Sequence, residues 1–234
     1  MNISVLRGLT SAEKLRTIIN LLKGWDWDAV MDNVSYTDSD GVTRIGTVFY
    51  PDTKRKVALA VQDPDGGGNL AHGVDFCTVS GSTVIGTSYI TVMVADGALR
   101  FMQNNSAITI SVYTETAEDV PENIPATFFV AKTVSQETGV EGVDVIGKYS
   151  HIASDGYYIL SSDDAAPVTT SYEISAEAPY TTLLPLVGSN AGVPSGIYYP
   201  LMTEGVVKDI KIMHINDKTF YKCGKAVMID YFVG

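Results

Sequence analysis

The sequence predicts a mainly β protein: an antiparallel β-sandwich or barrel with one N-terminal amphipathic α-helix, built as one or two β domains. Three observations carry this. Apolar and polar residues alternate in short runs, as in SYITVMVADG (88–97) and AITISVYTE (107–115). Gly, Asp and Asn clusters separate these runs at the spacing of short antiparallel strands. Helical periodicity is confined to one segment near the N-terminus, so no strand–helix alternation supports a parallel α/β sheet.

That segment is well specified. Thr10 precedes Glu13 by three residues, the spacing of a capping box. Leu15, Ile18, Ile19 and Leu22 then form one apolar stripe, and Gly24 sits where a C′ glycine would end the helix. A helix over about residues 10–23 is expected. Its stripe either packs on the following sheet or docks on another subunit.

Strands are expected at 33–37, 42–50, 56–62, 74–79, 83–94, 98–103 and 107–115. The turns between them are DSDG (38–41), DPDGGGN (63–69), SGS (80–82), ADG (95–97) and QNNS (103–106). Asp96-Gly97 is the strongest short hairpin signal. The stretch TETAEDVPENIP (114–125) has two prolines, four acidic residues and few apolar ones. It reads as a linker at 117–125 between a domain over 1–116 and a second over 126–234. The alternative is a long surface loop inside one β domain. Further strands are expected at 126–134, 142–150, 156–162, 168–176, 181–187, 196–205, 206–216, 218–223 and 226–234. Asn216-Asp217 joins one late hairpin and residues 223–225 the last.

Composition narrows the function. Charged residues make up only 18% of the 234, and hydrophobic residues 45%. Average domains carry roughly 25% charge, and a sparsely charged surface suits a chain that covers itself with partners. The net charge of −11 argues against nucleic acid and against an anionic membrane surface. No apolar run is long enough to span a bilayer as a helix. The N-terminal residues show no secretory leader pattern, so synthesis in the cytoplasm is expected. Cys77 and Cys223 then read as half-buried free thiols, with a disulfide the weaker reading.

Motifs for chemistry are scarce. The loops at 38–41 and 63–69 are rich in oxygen, as calcium requires, but match no EF-hand pattern and suit hairpin turns equally. His72, His151 and His214 stand apart from one another and from the cysteines, so zinc is not expected. No G-x-S-x-G elbow or phosphate loop exists. No cofactor, no metal and no catalytic residue is expected. Aromatic residues remain: Trp25, Trp27, Tyr157 and Tyr198 are the candidate ligand-binding set, because paired aromatics can stack on sugars. The plainer reading is that they fill a core.

The C-terminal segment 197–234, with IYYPLMTEGVV, HINDKTFYKCGK and AVMIDYFVG, resembles the ends of structural proteins of tailed bacteriophage virions. A capped N-terminal helix before a β body is similar to tail, neck, capsid-decoration or fibre components. The resemblance implies a noncatalytic part of a symmetric assembly, made in a bacterial cytoplasm and located in the virion. Its partners would be copies of itself and other virion proteins. Subunit contacts are expected from Leu15, Ile18, Ile19 and Leu22 of the helix and from Met228, Ile229, Tyr231 and Phe232 of the last strand. The alternative reading is a carbohydrate- or receptor-binding β module that recognises a host-surface glycan.

Overall fold

The computed structural model describes residues 1–24, 29–50, 57–70, 72–81, 83–120, 123–124, 126–131, 133–134, 145–150, 156–160, 165–168, 180–182, 193–200, 211–215, 217–223 and 228–231. Among these the protein is mainly β with one α-helix. Two compact units form: Leu6–Ala98, and Met1–Val5 together with Leu99–Gly234.

The chain starts with β1 (Asn2–Leu6) and α1 (Ser11–Lys23). Glu13 N–H donates to Thr10 Oγ1 at 3.3 Å, and Thr10 N–H donates to Glu13 Oε2 at 2.8 Å, completing the capping box. Gly24 ends the helix at φ −81, so it does not take the left-handed C′ conformation expected of it. Leu15, Ile18 and Leu22 are fully buried and Ile19 is half-buried. α1 packs on the strand Val57–Gln62 and on a single 3-10 turn at Val94–Asp96. Buried Lys14 bonds that turn, its Nζ donating to the carbonyls of Val94 (3.2 Å) and Gly97 (2.6 Å). For Leu15, Ile18 and Leu22 the expected subunit contact is therefore corrected: the helix spends them inside its own unit, where an intrachain sheet supplies the partner without an association cost.

The strands of this unit are β2 (Ala29–Thr37), β3 (Thr43–Tyr50), β4 (Val57–Gln62), β5 (Val74–Ser80) and β6 (Thr83–Val92). They form an antiparallel meander that closes into a barrel. A meander with an odd number of strands begins and ends in the same direction, so closure must be parallel. β2 and β6 do pair in parallel, at Thr37↔Thr87. Tyr36, Val48, Ala58, Ala60, Cys77 and Val79 form one buried cluster, drawn from alternate positions of their strands. The intervening residues of β4 and β5, Leu59, Val61, Val74 and Phe76, are buried too. Burial of both faces is why VALAV and VDFCTV read as nearly continuous apolar runs. Gly46 permits the close approach of β3 to β4: a Cβ there would lie 2.2 Å from the Val61 carbonyl oxygen.

The second unit contains β1 and then β7 (Ala98–Gln103), β8 (Ala107–Tyr113), β9 (Ala126–Ala131), β10 (Thr133–Val134), β11 (Val145–Ser150), β12 (Gly156–Leu160), β13 (Ala165–Val168), β14 (Tyr180–Thr182), β15 (Val193–Pro194), β16 (Ile197–Pro200), β17 (Ile212–Ile215), β18 (Lys218–Lys222) and β19 (Met228–Asp230). A seven-stranded sheet runs β1-β7-β8-β9-β11-β12-β13, a five-stranded sheet β14-β16-β19-β18-β17, and β10 pairs with β15. One core cluster joins Met102, Ala107, Phe129 and Ala131 of the larger sheet to Ile197, Tyr221, Cys223 and Ile229. Several buried polar groups in this unit are paired, although Arg100 Nε is buried without a hydrogen bond. Ser111 and Thr127 hydroxyls donate to the Cys223 carbonyl at 2.7 and 2.8 Å. Arg100, fully buried, pairs with Asp119 at 2.7 Å and donates to the Lys222 carbonyl at 3.1 Å.

Three expectations change. β8 and β9 are neighbours, with Ala107↔Ala131 and Val112↔Ala126 in register, so 117–125 connects two strands of one sheet. The division between units falls at Ala98 and Leu99 instead. The Asp96-Gly97 hairpin does not form, because β6 belongs to the barrel and β7 to the seven-stranded sheet. In the last strand, Ile229 is fully buried and Tyr231 packs half-buried on the same core, so both serve the fold of their own unit. Met228 pairs through its backbone with Tyr198 and Lys222, and Phe232 lies outside the described residues.

Candidate functional site at the polar end of the barrel

The inward-facing positions of the barrel change character along its length. Val48, Ala58, Ala60, Cys77 and Val79 are apolar, whereas buried Gln62 and Asp75 lie toward one end. Tyr36 bridges the two, its ring in the apolar cluster. Around this end gather the β2–β3 turn, the 63–73 loop and the end of β6.

Asp38 organises the turn. Its fully buried carboxylate accepts the amides of Asp40 (3.0 Å) and Val42 (2.9 Å) on Oδ1 and Arg44 Nε (2.8 Å) on Oδ2. His72, from the 63–73 loop, places Nδ1 3.5 Å from Asp38 and Nε2 3.6 Å from Asp40. The same loop is held from below, as Arg44 Nη1 and Gln62 Nε2 both donate to the Asn69 carbonyl, at 3.3 and 3.2 Å. On the other side, Ser39 Oγ and Thr91 Oγ1 are 2.7 Å apart, and Thr91 Oγ1 donates to Asp75 Oδ1.

The two buried carboxyls sit in opposite environments. Burial pushes Asp38 up, but the Val42 amide, the Arg44 guanidinium and the Asp40 amide outweigh it and hold the group below the usual carboxylate range. For Asp75 burial dominates. The Thr91 and Tyr36 hydroxyls and His72 lower it only partly, the Asp38 charge raises it further, and it ends at about 6. Burial, then the Asp75 charge, pushes the Tyr36 phenol up as well. Asp75 Oδ2, Tyr36 Oη, Gln62 Oε1 and His72 Nδ1 are buried without a well-formed hydrogen bond, although Tyr36 and Asp75 lie near enough to interact. Two carboxyls driven apart in this way can hold a proton on one and a charge on the other at the same pH. No group of three His, Cys, Asp or Glu side chains able to hold a metal occurs among the described residues.

Of the aromatic set expected to bind a ligand, Tyr198 alone has its side chain among the described residues. Trp25 and Trp27 lie outside the described residues. Tyr157 lies in β12 opposite Lys148, and its side chain is outside the described set. Tyr198 is half-buried, edge-on to Phe220 at 5.1 Å and 71°, with Lys218 Nζ 5.2 Å from its ring centroid. It packs on Met213, Ile215 and Phe220, the core-filling role. The 63–69 loop is a turn closed on itself, Asp65 N–H donating to Asp63 Oδ1 at 2.9 Å, with Asp65 paired to Arg16. Both cysteines are free and buried; burial pushes both thiols up, Cys223 to about 11, so neither is an activated nucleophile.

Sequence reasoning named Asp38 and His72 but separately, and did not name Asp75 or Tyr36. A signal existed. Asp75 is the one charged residue in the apolar run VDFCTV, at the same parity as Cys77 and Val79. A charge at a core parity is a reason to look for a partner. Comparison with protein-family models, with curated proteins and with solved structures finds no match to this chain.

Proposed function

We propose that the chain is a noncatalytic structural subunit that works through interfaces with copies of itself and with other proteins, as in a bacteriophage virion. The observation that carries this reading is the unequal covering of the barrel. The faces of β4 and β5 are buried, with α1 packed on β4. Elsewhere β3 and β6 expose Ile45 (53%) and Ile85 (49%), and the adjoining turn exposes Val42. β2 adds exposed Ser35 opposite Ile45. An uncovered strand face carrying isoleucines is suited to a partner surface; completing the burial of each would contribute about 1 kcal/mol. The chain's low content of charge points the same way.

The seven- and five-stranded sheets are best read as the two layers of a sandwich, since one core cluster draws side chains from both. The glycan-binding alternative loses Tyr198 to core packing and gains no support from the oxygen-rich loops.

Sedimentation velocity of the full chain over a wide concentration range tests the proposal. A concentration-dependent shift to a closed oligomer supports it. A monomer at every concentration up to high micromolar counts against it. The particle assignment is tested by mass spectrometry of purified phage particles, in which this chain should be a stoichiometric component.

A further inference from the structure

We propose that Asp75 makes the polar end of the barrel a proton-operated latch, closed while its carboxyl is neutral and opened toward water when it ionises.

The geometry supplies both halves of the device. Asp75 Oδ1 receives one hydroxyl, from Thr91, and Oδ2 has no well-formed hydrogen bond, with the Tyr36 hydroxyl near enough to interact. Nearby Asp38 takes two amides and a guanidinium. A buried carboxylate whose donors are only neutral hydroxyls is poorly stabilised, whereas a neutral carboxyl needs no more than an acceptor for its proton. Tyr36 Oη, itself buried and without a well-formed hydrogen bond, lies close enough to Asp75 to be that acceptor. The groups around Asp75 are Tyr36 and Asp38 from β2 and its turn, His72 from the loop, Cys77 from β5 and Thr91 from β6, with Arg44 from β3 and Gln62 from β4 both bonded to Asn69 in that loop. Arg44, a cation among them, is engaged by Asp38. Ionisation near pH 6 therefore places a second negative charge beside Asp38, compensated only in part by His72, which itself lies against Asp38 and Asp40.

The part that can respond is the turn. Ser39 N–H and Oγ both contact Thr91 Oγ1, so a Ser39–Thr91–Asp75 chain connects an exposed turn to the buried carboxyl. Ser39, Asp40, Gly41 and Val42 are exposed, as are residues 65–69 of the facing loop. Hydrating the carboxylate requires these two segments to part, which releases the Asp40 and Val42 amides from Asp38.

Amide hydrogen exchange on the full chain, corrected for the intrinsic pH dependence of exchange, tests this between pH 5 and 7.5. Protection of the Asp40 and Val42 amides is expected to fall about 10- to 100-fold across that range, while Asp75→Asn removes the dependence. His72→Gln, which removes a group that helps lower Asp75, is expected to move the fall to higher pH without abolishing it. Protection that is flat in the wild type, a fall that survives Asp75→Asn, or a fall abolished by His72→Gln alone would each overturn the latch. A carboxyl carbon NMR titration of the wild type gives an independent readout: a midpoint near 6 for Asp75 supports it, and one in the ordinary aspartate range overturns it.

Discussion

Replacing Asn104 by alanine should unfasten the second unit at one point. Asn104 is buried at the β7–β8 turn and uses every hydrogen-bonding site of its amide. Oδ1 accepts the amides of Ser106 and Ala107, both at 2.8 Å. Nδ2 donates to the carbonyls of Gly196 (3.2 Å) and Asp230 (3.1 Å), which belong to the start of β16 and the end of β19. Gly196 O keeps a second donor, Asp230 N–H at 2.9 Å, so its loss is small. The other three groups each lose their bond to the Asn104 amide, at about 1 kcal/mol apiece. The expected cost is about 3 kcal/mol, plus a cavity contribution. Asn104→Asp should cost at least as much at neutral pH, since it keeps both acceptor bonds but turns a carboxylate oxygen toward two carbonyls. Calorimetric unfolding is the suitable assay, because two units need not melt together. The transition of the 99–234 unit should shift down and that of the barrel should not. A cost below about 1 kcal/mol for Asn104→Ala would refute the reasoning. Gly196, at φ +76, adds a cross-check: a Cβ there would lie 2.8 Å from Asn104 Nδ2, so Gly196→Ala should be less harmful in the Asn104→Ala background.

Asp75 and Asp38 should give the barrel opposite pH dependences. Asp75 is raised from 3.8 to about 6, so its favourable contribution is present below the unfolded value and is lost as pH rises through 6. Asp75→Asn should therefore stabilise the barrel by up to about 3 kcal/mol at pH 7.5 and by little at pH 4, read from urea midpoints. Asp38 is lowered, so its contribution is present above the unfolded value and is lost as pH falls through its folded value. Asp38→Asn should cost about 3 kcal/mol at neutral pH, by leaving Arg44 buried without its carboxylate. Gly46→Ala should cost about 2 kcal/mol or more and split β3 from β4, a loss visible in the thermal midpoint.

Local signals were the legible part of this chain. Thr10 and Glu13 specify the helix start because the capping box closes within four residues. Most strands up to β9 were visible for the same reason, since burial on one or both faces writes itself into consecutive residues. What was not legible depends on which strands meet. The Asp96-Gly97 pair looks like a hairpin because the sequence does not reveal that β6 is taken by barrel closure. The acidic, proline-bearing stretch before β9 looks like a linker because its composition does not record that β8 and β9 pair across it. The site was hidden in the same way. Asp38, His72 and Asp75 are ordinary turn, loop and strand residues until closure of the barrel sets them together.

The claim that this chain acts through the uncovered face of its barrel is tested most directly by light scattering on the wild type and an Ile45→Lys, Ile85→Lys double variant. Both isoleucines are half-exposed, so the variant should fold with an unchanged circular dichroism spectrum. The account predicts an oligomeric mass for the wild type and a monomeric mass for the variant at the same concentration. Equal masses for the two folded proteins would contradict it.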